Sequence, residues 1–357
     1  MRIAVLGVGL IGGSIGLAAR EYVEDAEVVG VGRSRERLQR ARELGAIDHA
    51  AATVEEAVDG AEACFACGPV AALPEQVREA LAAAGPGCVV SDVGSTKRHV
   101  VESTQDERFI GGHPVAGAET SGVEHARADL FQGATWYLTP SERSSGVLFE
   151  RLHRLVVSLG ARPIAIDADT HDRLLASVSH LPHVLANVLV SQAARRLAQE
   201  AEPLPRIGPS FRDATRVAGA SSSVWTGIYT SNREAIASAI DELVARLQQV
   251  AGWLREEDAA GLQAWNEQAA ADRHRLLEVD LAGGPVHELR LTVPNRPGIV
   301  AQVALALGRA DVNIVDMALS PAPDMSSGAM TLWIAGDGQA ARARELVEEL
   351  GFPVAEA

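Results

Sequence analysis

The stretch Arg2-Ile3-Ala4-Val5-Leu6-Gly7-Val8-Gly9-Leu10-Ile11-Gly12 decides the fold. Arg2 to Leu6 reads as a short apolar strand, and Gly13 to Arg20 as an apolar helix. Between them lies G-x-G-x-x-G, the glycine pattern in the strand-to-helix setting that gives it meaning. Gly7 makes the tight turn, Gly9 lets the backbone approach a pyrophosphate, and Gly12 lets the helix pack on the strand. The helix start then offers free N–H groups to phosphate oxygens. Gly7, Gly9, Leu10, Ile11 and Gly12 are therefore the candidate dinucleotide-binding residues. The competing reading is a glycine-rich turn without a ligand.

Glu27 to Val31 reads as the second strand. A site for NAD usually carries an acid at this strand's end, to bind the ribose 2′-hydroxyl. Here the chain reads Gly32-Arg33-Ser34-Arg35, and the nearest acid is Glu36. Arg33, beside Ser34, can accept a 2′-phosphate. NAD or NADP are both permitted. Alternatively, Arg33 and Arg35 only start a solvated helix, Ser34 to Leu44.

Strand and helix keep alternating. Ala61 to Cys67 is a strand, Leu73 to Ala84 a helix, and Cys88 to Asp92 a strand ending in Asp92-Val93-Gly94-Ser95-Thr96-Lys97. Ala134 to Thr139, Ser145 to Leu159 and Arg162 to Ile166 continue the rhythm, with Val123 to Leu130 expected to be helical. This is an α/β, Rossmann-type, doubly wound domain over residues 1–167. Its ligands should sit at the C-terminal ends of the strands.

Composition sets the limits. The chain has 357 residues, enough for two or three domains. Its 32 basic and 47 acidic residues leave a net charge of −15, which argues against nucleic acid as a partner. No apolar run is expected to reach the ~18 residues of a membrane span, and Met1 to Leu10 lacks the basic start of a signal peptide. We expect a cytoplasmic protein that does not bind membranes. Cys64 and Cys67 have C-x-x-C spacing, but they lie in an apolar strand on opposite faces. They read as small core or cofactor-adjacent residues, and no four-ligand zinc pattern exists. Lys97 is the only lysine.

Gly111-Gly112-His113-Pro114-Val115-Ala116-Gly117 follows a strand expected at Arg108 to Gly111. It reads as a loop of small residues that exposes one imidazole, the side chain able to take a proton near neutral pH. Ser95 and Lys97 stand at a strand end, where ligand is expected. The bland alternatives are helix capping by Ser95 and a surface position for Lys97.

From residue 168 to 281 the pattern is helical. His171 to Arg196 reads as one long helix, interrupted at Pro182 and apolar on most sides, so it must be buried, most simply against a second subunit. Ser179, His180 and His183 lie on it. The two histidines have no third partner for a metal, so contact with substrate is the better reading. Arg216, in Phe211-Arg212-Asp213-Ala214-Thr215-Arg216, is the candidate carboxylate clamp through two parallel hydrogen bonds. Its alternative is a surface ion pair with Asp213. Asn232 to Leu254 is an amphipathic helix. After a linker at Ala282 to Pro285, residues 285–357 read β-α-β-β-α-β, a small α+β ferredoxin-like module.

These segments occur in a specific order: G-V-G-L-I-G-G-S-I, D-V-G-S-T-K, G-G-H-P-V-A-G-A-E, V-S-H-L-P-H and F-R-D-A-T-R. Together they resemble the prephenate dehydrogenases over roughly residues 1–281. The tail, with Asn295, Gly298, Asn313 and Ile314 in its motifs, resembles the ACT domain that some members carry. The resemblance implies oxidation of prephenate to 4-hydroxyphenylpyruvate with loss of carbon dioxide and hydride transfer to a nicotinamide. It implies His113 as base and Ser95 as its helper in placing the ring hydroxyl. Arg216 would hold a substrate carboxylate, Ser179 and His183 would lie against substrate, and Glu119 near the entrance. It further implies tyrosine as effector at Asn295, Gly298, Asn313 and Ile314, and a homodimer. The competitors are an arogenate or dual-specificity cyclohexadienyl dehydrogenase, a β-hydroxyacid dehydrogenase and a non-catalytic amino-acid sensor. A β-hydroxyacid dehydrogenase would need a lysine in the helical part, where this chain has none.

Overall fold

In a computed structural model, the structure describes residues 1–116, 120–197, 207–279, 286–294, 296, 299–310, 312, 314–322 and 326–355. The contacts divide them into two compact units, Met1–Val244 and Ala245–Ala357.

In the first unit, β1 (Arg2–Leu6) leads into α1 (Leu10–Tyr22), and β2 (Glu27–Val31) into α2 (Arg35–Glu43). Next come β3 (His49–Ala50), α3 (Val54–Val58), β4 (Ala63–Ala66), α4 (Leu73–Ala83), β5 (Val89–Asp92) and α5 (Arg98–Glu102). These strands form a parallel sheet in the order β3-β2-β1-β4-β5. The order reverses beside β1, which places the ligand crevice at its C-terminal end. A second sheet follows, β6 (Gly111–Pro114), β7 (Thr135–Thr139) and β8 (Arg162–Ala165), with β6 and β7 antiparallel. It is joined to the first by a parallel bridge between Val90 and Phe109. Helix α6 (Gly146–Ser158) buries Leu148, Leu152, Leu155 and Val156 against the same core as Phe65, Phe131 and Trp136. Burial of such side chains contributes about 2 kcal/mol each.

Two expectations need correction here. Val123 to Leu130 is not one helix but two short turns, Val123–His125 and Ala128–Phe131. Arg127 between them is extended, and its N–H bonds Ser14 Oγ on α1 at 3.0 Å, which breaks helical continuity. His113 is not in an exposed loop. It lies in β6 opposite Tyr137 and is only 8% exposed. Gly111 and Gly112 serve close packing: a Cβ there would fall 2.2 Å from Thr139 Oγ1 and 2.6 Å from the Asp92 carbonyl oxygen.

The helical part begins with α7 (Ala168–Leu175), a π-helical turn at Ala176–His180 and α8 (Leu181–Leu197). The π turn lies immediately before Pro182, so the change of helical register falls where a helical N–H is missing. By length and composition, Ala168–Leu197 is long and apolar enough to cross a membrane, which corrects the expectation that no run is. Val188, Leu189 and Val190 on it are exposed in the single chain. α9 (Pro209–Thr215), α10 (Ser222–Ser231) and α11 (Arg233–Arg255) follow, and the division between units falls within α11.

The second unit contains α12 (Ala259–Val279) and the β-α-β-β-α-β run β9 (Val286–Pro294), α13 (Ile299–Arg309), β10 (Ile314–Pro321), β11 (Ser327–Ala335), α14 (Asp337–Glu349) and β12 (Val354–Ala355). Its antiparallel sheet has the order β10-β11-β9-β12, the ferredoxin-like arrangement. Leu289, Leu291, Val303, Leu307, Met330, Leu332 and Val347 fill its core.

Candidate functional site

The dinucleotide cleft lies where the sheet order reverses. Gly7 has φ +106°, and a Cβ there would meet the Cys67 carbonyl at 3.1 Å. A Cβ on Gly12 would lie 2.3 Å from the Gly7 oxygen, so packing alone requires that glycine. Gly9 differs, because nothing lies within 4 Å of its hypothetical Cβ. Gly9 also caps α1 with no side-chain hydrogen bond, so no side chain caps the first-turn N–H groups, those of Leu10 and Ile11 among them, and Gly9 itself lines an open cleft. The donors and the room suit a pyrophosphate. The cleft, about 650 Å³, is also lined by Arg33, Ser34 and Arg37. Ser34 Oγ accepts the Arg37 N–H at 3.2 Å and caps α2. Cys64 is buried in β4, whereas Cys67 lines the cleft; both are free thiols. Burial pushes the Cys67 thiol well above its ordinary range.

Beyond the strand ends lies a buried chain of polar groups. His113 Nδ1 is 2.9 Å from His171 Nε2, and His171 Nδ1 is 2.8 Å from Asp172 Oδ1. Asp172 is fixed in turn, since its oxygens accept the Lys97 N–H at 2.7 Å and the Arg98 N–H at 3.0 Å. This order sets the tautomers. An ionised Asp172 only accepts, so His171 carries its proton on Nδ1 and leaves Nε2 as an acceptor. His113 must then donate from Nδ1, which leaves its Nε2 lone pair able to take a proton. Burial first, then the neighbouring His171, Lys97 and His180, holds the His113 pKa well below the ordinary imidazole value.

A second cluster lies on the π turn and α8. The Asn232 amide donates to the Asp172 carbonyl at 2.8 Å and lies 3.2 Å from His180 Nδ1. His180 Nε2 therefore carries its hydrogen, and it is buried without a partner among the described residues. Burial lowers the His180 pKa to about 4. The His183 ring stacks on Trp225 at 3.5 Å, and its Nδ1 bonds the Tyr229 hydroxyl. Ser179 is half-buried in the π turn, and Ser95 is half-buried just after β5.

Lys97 is not at the surface. Its side chain is 0% exposed, and Nζ donates to Asp92 Oδ2 and, at 2.6 Å, to the Gly112 carbonyl. Arg216 is exposed and opens a 3₁₀ turn, Arg216–Gly219, that packs on α8. Glu119, Asn295, Gly298 and Asn313 lie outside the described residues, and Ile314 begins β10. Reading the sequence missed His171 and Asp172, which are 58 and 59 positions from His113 with no local motif. It also missed Asp92, Asn232, Trp225 and Tyr229. Only Lys97 carried a signal, its uniqueness.

Two family descriptions match this chain: "Prephenate dehydrogenase, nucleotide-binding domain" over residues 15–165 and "Prephenate dehydrogenase, dimerization domain" over 167–268. The cyclohexadienyl dehydrogenase of Zymomonas mobilis is 31% identical over 261 residues, covering 72% of this chain and 89% of that one. The chain belongs to the prephenate dehydrogenase family. Another relative, the prephenate dehydrogenase of Bacillus subtilis, is 29% identical over 356 residues, covering 97% of this chain and 95% of its own length. Among solved structures, the Aquifex aeolicus prephenate dehydrogenase in complex with hydroxyphenyl propionate and NAD+ superposes with a TM-score of 0.71 at 26% identity. It covers 77% of this chain and 98% of that one.

Proposed function

We propose that the chain oxidises prephenate to 4-hydroxyphenylpyruvate and carbon dioxide, with NAD(P)+ as hydride acceptor. The observation that carries this reading is the Asp172–His171–His113 chain, which occupies Nδ1 of a buried, neutral His113 ring and leaves Nε2 able to act as a base. His113 Nε2 takes the proton of the ring hydroxyl as that carbon becomes a carbonyl. Such a base contributes about 10²–10⁴-fold. The positive charge that develops on His113 is stabilised through His171 by Asp172. A bound nicotinamide supplies the hydride acceptor. Gly7, Gly9, Leu10, Ile11 and Gly12 would hold its phosphates. Decarboxylation needs little help, because the product ring is aromatic.

Ser95 helps place the hydroxyl, and Arg216 receives a substrate carboxylate. Ser179 and His183 line the substrate, with Glu119 at the entrance, and the unpartnered His180 Nε2–H offers a further donor. An ordered base of this kind has no use in a non-catalytic amino-acid sensor. Arg33 and Arg37 at the cleft, with no acid at the end of β2, support acceptance of NADP beside NAD. The Zymomonas mobilis relative, named for cyclohexadienyl substrates, favours arogenate as a second substrate. The second unit reads as an ACT-like effector domain for tyrosine. Residues 1–167, 168–281 and 285–357 are then the nucleotide, dimerising and regulatory regions of a cytoplasmic homodimer. The deciding experiment is a steady-state comparison of prephenate and arogenate, each with NAD and NADP. No turnover of either substrate refutes the reading. Tyrosine inhibition competitive with prephenate would move the effector from the ACT-like region to the active site.

A further inference from the structure

We infer that Lys97 is a positioning residue: with Asp92 it grips both backbone polar groups of Gly112 and so fixes the His113 imidazole against His171. The inference deepens the proposed dehydrogenase reading and rests on it. Lys97 Nζ donates to the Gly112 carbonyl at 2.6 Å, while Asp92 Oδ1 accepts the Gly112 N–H at 3.1 Å. Asp92 Oδ2 also accepts the Gly94 N–H at 2.8 Å, so the carboxylate is itself held at two points. Gly112 immediately precedes His113, and a side chain there would strike the Asp92 carbonyl and Ser91 Oγ. The grip therefore fits only this backbone. The main chain of Lys97 holds the other end of the relay, through its N–H to Asp172 Oδ1 at 2.7 Å. One residue thus ties the base and the carboxylate that orients it.

Stability does not account for this lysine. Replacing a buried ion pair by apolar side chains is often neutral or stabilising. Arginine serves elsewhere in this chain, and Lys97 is the only lysine among its 32 basic residues. A guanidinium is a broad planar fork, whereas an ammonium is a compact charge that fits between one carboxylate and one carbonyl. The charge has a second effect. The titratable groups around His113 are Lys97 and Asp92 near the end of β5, Tyr137 on β7, His171 and Asp172 on α7, and His180 on the π turn. Of these, the Lys97 cation helps keep the His113 ring neutral.

The test uses the full chain. Lys97→Met should lower kcat for prephenate by about 10²-fold, the cost of a base misplaced by an ångström. Its Michaelis constant should stay within about 3-fold, because binding contacts remain. In histidine-labelled protein, the NMR titration of the His113 ring should move upward, because a nearby cation that holds it down is gone. Lys97→Met strands Asp92 as a buried charge and can unfold the protein, so Lys97→Met/Asp92→Asn is made beside it. The double variant should regain thermal stability while turnover stays at least about 10-fold down, because Gly112 still lacks its donor. Parental turnover with a parental His113 titration in either variant would overturn the inference. So would a raised Michaelis constant with unchanged kcat, which would place Lys97 on substrate. If the parent fails to turn over prephenate, the dehydrogenase reading falls, but the His113 titration still decides the role of Lys97.

Discussion

A base that arrives protonated cannot take a proton, so the surroundings of His113 matter as much as its place. Burial and the nearby cationic and histidine groups hold its pKa well below 6.5. The neutral ring is then present down to that lowered value and is lost as pH falls through it. The acidic limb of kcat/KM should therefore have its midpoint clearly below pH 6.5, and a midpoint at or above 6.5 would rule out His113 as the group observed. His113→Asn should lower kcat by about 10²–10⁴-fold with little change in the Michaelis constant for prephenate. Asp172→Asn should also lower kcat, because an amide can donate where the carboxylate only accepts, and the His171 tautomer is no longer fixed. Steady-state kinetics of both variants checks this, and a parental kcat in Asp172→Asn would disconnect Asp172 from the base. The sequence marked His113, Ser95 and His183 through local motifs. It was silent on His171 and Asp172 because their role exists only once α7 is brought beside β6.

At the level of elements, the glycine pattern was legible because it sits in one strand-to-helix turn, where Gly7 takes a positive φ, Gly12 packs against Gly7 and Val5, and Gly9 leaves open room. The same kind of reading failed at Gly111–Pro114. Two glycines and a proline look like a loop, yet close packing against Thr139 and Asp92 makes them a strand. The π turn was equally hidden, since it is set by how Pro182 and the packed histidines share one helix. Two glycines of the first βα unit separate folding from binding. A Cβ at Gly16 would fall 1.8 Å from the Ala46 carbonyl oxygen, whereas one at Gly9 meets nothing within 4 Å. Gly16→Ala should cost at least about 2 kcal/mol in urea unfolding, because backbone must move. Gly9→Ala should change stability by less than about 1 kcal/mol and raise the Michaelis constant for the dinucleotide, because its methyl occupies the pyrophosphate's approach. Equal stabilities for the two variants would show that α1 accommodates Gly16→Ala by shifting.

For the molecule as a whole, the same buried histidines that serve the site set a limit on acid stability. The alternation of strands and helices, the long apolar helix and the β-α-β-β-α-β tail could be read from the sequence because they rest on periodicity. The depth at which His113, His171 and His180 lie could not, because it depends on how elements far apart in sequence pack together. His180 is 1% exposed, and its pKa is held down to about 4 by burial, against about 6.5 in an unfolded chain. Between those values the unfolded state binds a proton that the folded state refuses. Stability is then fully present above pH 6.5 and declines as pH falls toward 4. The gap of about 2.5 units corresponds to roughly 3 kcal/mol for His180, and His113 adds in the same direction. Urea unfolding at pH 7.5, 6, 5 and 4.5 should therefore show a steady fall in stability. Asn232 donates to His180 Nδ1, so it favours the neutral ring only while that nitrogen is unprotonated. His180→Gln removes the proton uptake, and it should flatten the decline by up to about 3 kcal/mol at the lowest pH, even if it lowers stability at pH 7.5. An unchanged slope in His180→Gln would mean that the acid loss comes from other groups and that the π turn opens to water before the protein unfolds.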